Sequence, residues 1–248
     1  MLLSRRNPAG ALSHLVLVLA LATSALPGYA WTRGSGHPAS ETRQVAEFQA
    51  ISVDGGIDVV ARQGSKTSVQ VQADDNLLPL LETVVESGRH GPTLKLRWKH
   101  DENISTHSKV LVTVVTPRLE AVASSGSGDV VIDSFTTPAL DLALSGSGDA
   151  RLTKLNTEAL ELQIAGSGDV RGSGKATRLK ISIAGSGDVA LTELQADDVV
   201  VHIAGSGDAE VDAEKRLEVH IAGSGDVSYH GHPALKSSVA GSGSVSQK

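Results

Sequence analysis

The sequence predicts an all-β protein whose C-terminal half is a parallel β-helix-like solenoid of about 18–20 residues per coil. Three observations carry this. Gly126-Ser127-Gly128-Asp129 recurs with its first glycine at Gly146, Gly166, Gly185, Gly205 and Gly223, and a last copy reads Gly241-Ser242-Gly243-Ser244. The offsets are 20, 20, 19, 20, 18 and 18 residues, a period at which each coil needs neighbours to bury its apolar face. Between copies, Leu179, Ile181 and Ile183 alternate with Lys180 and Ser182, as in a strand with one buried face.

Taken in order, residues 1–30 read as a signal peptide. Arg5 and Arg6 form a basic start, Leu12 to Leu26 is a nearly unbroken apolar stretch, and Gly28-Tyr29-Ala30 ends in small residues. That stretch falls short of the about 20 residues a membrane span needs. Residues 31–44, with Gly34, Gly36 and Pro38, have loop composition and are expected as a flexible leader. Residues 45–248 form the β domain, irregular over 45–118 and regular over 119–248.

In the irregular part, Phe48 to Val53 and Ile57 to Val60 flank an Asp54-Gly55-Gly56 turn, and Val69-Gln70-Val71 follows Gly64-Ser65. Asp74 to Leu81 predicts one short helical turn. Thr83-Val84-Val85 and Leu94 to Trp98 predict a hairpin around Gly88 to Gly91, and Lys109 to Val115 is the last strand before the regular array.

In the regular part the apolar columns repeat as Leu140/Leu142/Leu144, Leu160/Leu162/Ile164, Val199/Val201/Ile203 and Leu217/Val219/Ile221. A small apolar residue follows each aspartate, as at Val130, Ala150 and Val170. Each period therefore holds two short strands joined by a Gly-Ser-Gly corner, then a looser return such as Thr192 to Asp197. Glycine at the corner permits positive φ and close stacking. Ser237, Ser238 and the polar tail from Ser244 to Lys248 read as a C-terminal cap against edge pairing.

Stacking at the strand spacing of about 4.8 Å places Asp129, Asp149, Asp169, Asp188, Asp208 and Asp226 in one column. Unit charges at that spacing repel by about 0.9 kcal/mol in water and about 3.5 kcal/mol at an effective dielectric of 20. Either backbone N–H groups at the turn or a cation such as Ca²⁺ must compensate. Turn capping is the reading one carboxylate per coil favours, since hard cations want six or more oxygens; the column remains the one candidate cation ladder, and no other cofactor is implied.

The net charge is −6, and without residues 1–30 (Arg5, Arg6 and no acids) it becomes −6 − 2, or −8. An acidic chain of this kind excludes nucleic acid as a partner, because phosphate contacts need clustered Lys and Arg. The absence of cysteine excludes disulfides, thiolate metal sites and lipoprotein lipidation. Aromatics are 2% of the chain, too few for sugar binding on stacked rings. A mature chain that does not span a membrane, and carries no translocator, is expected in the periplasm or at the cell surface.

The opening Phe48-x-x-Ile51-x-Val53-x-Gly55-Gly56-Ile57-Asp58-Val59, the Ala73-Asp74-Asp75-Asn76-Leu77-Leu78 element and the repeated Ile-Ala-Gly-Ser-Gly-Asp cores resemble the bacterial family of auto-transporter adhesin head domains, called GIN domains. The resemblance covers about residues 45–247. It implies a parallel β-helix-like fold, an exported location and an adhesin role, and it brings no catalytic residues.

His202 and His220 occupy equivalent places in successive coils and read as a surface ladder, since two imidazoles fall short of the three or four ligands of a Zn²⁺ site. A polysaccharide-cleaving β-helix would need two carboxylates with separated pKa values, whereas the six aspartates share one environment. Ser127 and its copies have no histidine partner in the same coil. The chain is therefore read as a non-enzymatic, adhesin-like protein that presents a repetitive acidic surface to a protein or glycan of the cell envelope or host. A structural or envelope-stress accessory role without a ligand, and a homo-oligomer, are the alternatives.

Overall fold

The computed structural model describes residues 31–99 and 103–248. The signal peptide expected over residues 1–30 lies outside the described residues. The first half contains β1 (Trp31–Arg33), β2 (Pro38–Arg43), β3 (Ala50–Asp54), β4 (Asp58–Gln63), β5 (Ser68–Asp74), β6 (Leu81–Gly88), β7 (Gly91–Trp98), β8 (Asn103–Ser105) and β9 (Leu111–Thr116). The second contains β10 (Ala121–Gly126), β11 (Val130–Asp133), β12 (Thr136–Gly146), β13 (Ala150–Gly166), β14 (Val170–Gly185), β15 (Val189–Gly205), β16 (Ala209–Gly223), β17 (Val227–His230), β18 (Ala234–Gly241) and β19 (Val245–Gln247).

Among β10 to β19 every pairing is parallel and one period apart, so the chain is a β-solenoid. The corner glycines Gly126, Gly146, Gly166, Gly185, Gly205, Gly223 and Gly241 are paired in sequence, each with the next. The columns Leu140–Leu160–Leu179–Val199–Leu217 and Leu142–Leu162–Ile181–Val201–Val219 point inward and are fully buried. Burying such side chains stabilises the fold by about 1.5–3 kcal/mol each, which is why a coil without a neighbour does not hold. Beyond the corner, Val130, Ala150, Val170, Val189, Ala209 and Val227 form the inward column of the second face.

Two expectations change here. The return segments are strand, not loop: β13 to β16 run without interruption from one corner to the next, with register shifts such as Leu152/Leu155 absorbing the differences in length. Thr192 to Asp197 has polar composition because its side chains alternate outward, while Leu194 and Ala196 face the core. Residues 31–43 are also paired rather than a free leader: β1 runs parallel to β8, and β2 runs antiparallel to β5. These strands lie on the rim with mostly exposed side chains, so they lack an apolar signature.

The first half stacks out of chain order. β3 pairs with β10 above and β7 below, and β4 pairs with β11 above and β9 below. The layer formed by β7 and β9 therefore lies beneath the layer formed by β3 and β4. Antiparallel strands then close this end: β6 on β7, β5 on β9, and β2 on β5. The expected hairpin is β6–β7, and the expected helical turn is a single 3₁₀ turn, Leu78–Leu80, with Pro79 in its first positions. At the other end no strand covers β18 among the described residues. Leu235 and Val239 continue the columns of Leu217 and Ile221 but are 44% and 41% exposed.

Candidate binding face and the aspartate ladder

The Gly-Ser-Gly-Asp corner is a stack of main chains with no room for side chains. The first glycines hold φ between +133° and +147°, and a Cβ on Gly166 would overlap the carbonyl oxygen of Gly146. A Cβ on Gly168, the buried second glycine, would overlap the carbonyl oxygen of Gly148. The serine N–H donates to the preceding coil's first-glycine carbonyl, as from Ser167 to Gly146 at 2.9 Å.

At the aspartate the ladder switches to a side-chain acceptor. The N–H of Asp149 donates to Asp129 Oδ1 at 3.1 Å, and the same bond repeats from Asp169, Asp188, Asp208 and Asp226 to the carboxylate one coil below. Ser244 closes the column by donating both its N–H and its Oγ–H to Asp226 Oδ1, at 2.7 and 2.8 Å. The six aspartates thus stand in one column, as their spacing predicts, and each caps the next coil rather than its own turn. The column has a further rung below them. Asp129 N–H donates to Asp58 Oδ1 at 2.8 Å, and Lys109 Nζ holds Asp58 Oδ2 at 2.9 Å. Gly55-Gly56-Ile57-Asp58 has the same three-residue step from glycine to aspartate as the repeat, the signal that would have added it. Among the described residues, no cluster of three or more His, Asp or Glu side chains is arranged to hold a metal ion.

The larger surface feature lies on the face before the corner. There a shallow groove of 660 Å³ crosses β13, β14, β15, β16 and β18. One wall is the outward column Gln163–Ser182–His202–His220–Ser238, and the other is the alanine column Ala165–Ala184–Ala204–Ala222. The His202 and His220 rings stack at 5.0 Å with 8° between their planes, as neighbours in register on adjacent parallel strands must. Next to this column run Asp141, Glu161, Lys180, Val200, Glu218 and Lys236, in register. Lys180 bonds Glu161 at 2.8 Å and Lys236 bonds Glu218 at 2.6 Å, and these ammonium groups hold both carboxyls below the usual range. This column therefore mixes both signs, whereas the repetitive acidic surface expected of the polar columns is found in the aspartate column at the corner.

A second hollow of 250 Å³ continues the same face toward the first half, where the β6–β7 turn leans over it. Gln49 Nε2 donates to the His90 carbonyl at 2.8 Å, and His90 Nε2 lies 3.6 Å from Asp141 Oδ2. Within the described residues no helix is long and apolar enough to cross a membrane.

The fold is thus a parallel β-solenoid with a long, shallow, side-chain-lined groove on one face. Residues 47–233 match the family described as "putative auto-transporter adhesin, head GIN domain", and the chain belongs to that family. No functionally curated protein matches it. Among solved structures, a putative adhesin from Bacteroides fragilis is 26% identical with a TM-score of 0.81, covering 88% of this chain and 100% of its own. A putative lipid binding protein from Parabacteroides distasonis is 25% identical with a TM-score of 0.72 and the same coverage. A putative adhesin from Parabacteroides distasonis is 26% identical with a TM-score of 0.68, again over 88% and 100% of the two chains.

Proposed function

We propose that the protein is an exported, non-enzymatic, adhesin-like protein whose face before the corner docks a protein or glycan of the cell envelope or of a host surface. The observation that carries this reading is the groove along β13 to β18, where a column of five polar side chains runs against a column of four alanines. Small side chains on one wall let a partner approach the sheet closely, and the mixed charges beside the other wall set its register along the axis. The family name and the names of two structural relatives support the adhesin role. The shared corner position of the six aspartates, each accepting an N–H from the next coil, argues against division of labour between an acid and a base.

Cells lacking the gene, complemented with the wild-type chain or with Ala184→Lys/Ala204→Lys, test the reading. Filling the alanine wall should abolish most attachment while export and melting temperature stay unchanged. Equal attachment by wild type, variant and deletion strain would instead leave a structural or stress-accessory role. Fractionation of the same strains reads export directly, and a protein retained in the cytoplasm would overturn that part.

A further inference from the structure

The coils in the middle of the regular array carry a net positive charge. Between residues 150 and 180 there are six bases, Arg151, Lys154, Arg171, Lys175, Arg178 and Lys180, against three acids, Glu158, Glu161 and Asp169, in a chain of net charge −6. Two of these bases, Arg151 and Arg171, are direct cross-strand partners on the face after the corner. Like charges so placed repel. Their column continues as Val131 on one side and Ala190 on the other, with no carboxylate between. Arg171 has one ion-pair contact, to Asp169 Oδ2 at 3.5 Å, and Arg151 has none among the bonds of the described residues.

Beside the pair the solenoid is dented. Gly172 and Gly174 occupy inward positions whose partners one coil below are Leu152 and Leu155. The register also slips on both sides of Ser173, between Leu152 and Leu155 on β13 and after Arg171 against β15. Lys154 takes φ +50° there, and its N–H is held by Ser173 Oγ at 3.2 Å. The result is a hollow of 390 Å³ lined by Arg151 and Arg171, by the hydroxyls of Thr153, Ser173 and Thr192, and by Glu193, the cross-strand partner of Ser173.

We propose that this hollow binds a saccharide carrying a phosphate or sulfate ester. The two guanidiniums take the tetrahedral oxyanion, for which their forked donors suit. The three hydroxyls and Glu193 take sugar hydroxyls. A membrane headgroup offers the same ester, but no large exposed apolar side chain stands near the hollow: those of the described residues are Trp31, Val84, Leu235 and Val239. The inference goes beyond the reading above, since it concerns the other face and stands even if the alanine groove binds nothing.

Titration calorimetry on the purified protein tests it with inorganic sulfate, inorganic phosphate, glucose 6-sulfate, glucose 6-phosphate, glucose, and vesicles of phosphatidylglycerol. The sugar esters should bind more tightly than the free anions, and glucose should give no heat. Arg151→Gln/Arg171→Gln should weaken ester binding by about tenfold or more. Glu193→Gln removes the opposing charge and should leave binding of the free anions equal or tighter, while weakening the sugar's extra contribution. Ala184→Lys/Ala204→Lys on the other face should change nothing. If the arginines serve only to neutralise the aspartate column, the double variant melts lower but wild type binds no ester, and the proposal fails. It fails equally if vesicles bind and the sugar esters do not, or if a folded double variant binds as wild type does.

Discussion

In residues 121–248 a strand's neighbour is found by counting one period along the chain, whereas in residues 50–116 the later strands lie beneath the earlier ones. The first region draws its cohesion from identity: the same leucine, glycine and aspartate positions meet in every coil. The second draws it from difference. Antiparallel strands that match nothing in the repeat close one end of the stack, and an array of identical coils has no means of stopping itself.

The sharpest way to break this comparison is at glycine. Gly166→Ala should destabilise the protein by about 3 kcal/mol or more, because the methyl meets backbone that cannot move aside. Gly36→Ala in the first half, where φ is +77° but nothing lies within 4 Å, should cost about 1 kcal/mol. Denaturant melts of the two variants read the difference, and equal losses would refute the close-stacking account. The apolar column gives the next effect. Leu162→Ala should cost about 2–5 kcal/mol, against less than about 1 kcal/mol for Leu235→Ala at the uncovered end. Amide exchange should likewise be fastest in β18.

Smaller effects sharpen the account of the corner. Asp169→Ala removes the acceptor for the Asp188 N–H and should cost about 1 kcal/mol. Asp169→Asn keeps an oxygen acceptor, sheds a charge from the column, and should cost less than half as much. With every carboxylate already accepting an N–H, EDTA should leave the melting temperature unmoved and Ca²⁺ should give no heat; a cation-dependent shift would restore the cation ladder. The smallest effect belongs to Asp212, whose carboxyl is pushed up by burial and then by the nearby Glu214, with His230 opposing. Its folded pKa lies above the unfolded one, so the ionised carboxylate weakens the fold above the folded pKa. That penalty fades as pH falls through the folded pKa toward the unfolded value. Asp212→Asn should raise the melting temperature slightly at neutral pH and flatten its dependence on acid.

Much of the regular half was legible because alternation of Leu, Ile and Val with polar residues has only one structural meaning at that period. The β6–β7 hairpin and the Leu78–Leu80 turn were legible for the same local reason. Pairings such as Pro38–Arg43 against β5 were not, because a rim strand buries little and its composition is that of a loop. Nor was the inverted order of the first layers, which depends on contacts between residues 43 and 53 positions apart, such as Ile51 with Leu94 and Val59 with Val112. At the candidate sites, the aspartate column followed from spacing alone. The alanine groove and the Arg151–Arg171 pair did not, since both arise from which outward side chains share a column once the exact register is known.

The aspartate ladder also has a direction. Every carboxylate oxygen that will hold a coil belongs to the coil before it, and none belongs to the coil after. A finished layer is therefore a template with its acceptors already in place. A chain delivered amino end first meets that template one turn at a time, so assembly can proceed as zippering instead of as a search among equivalent repeats.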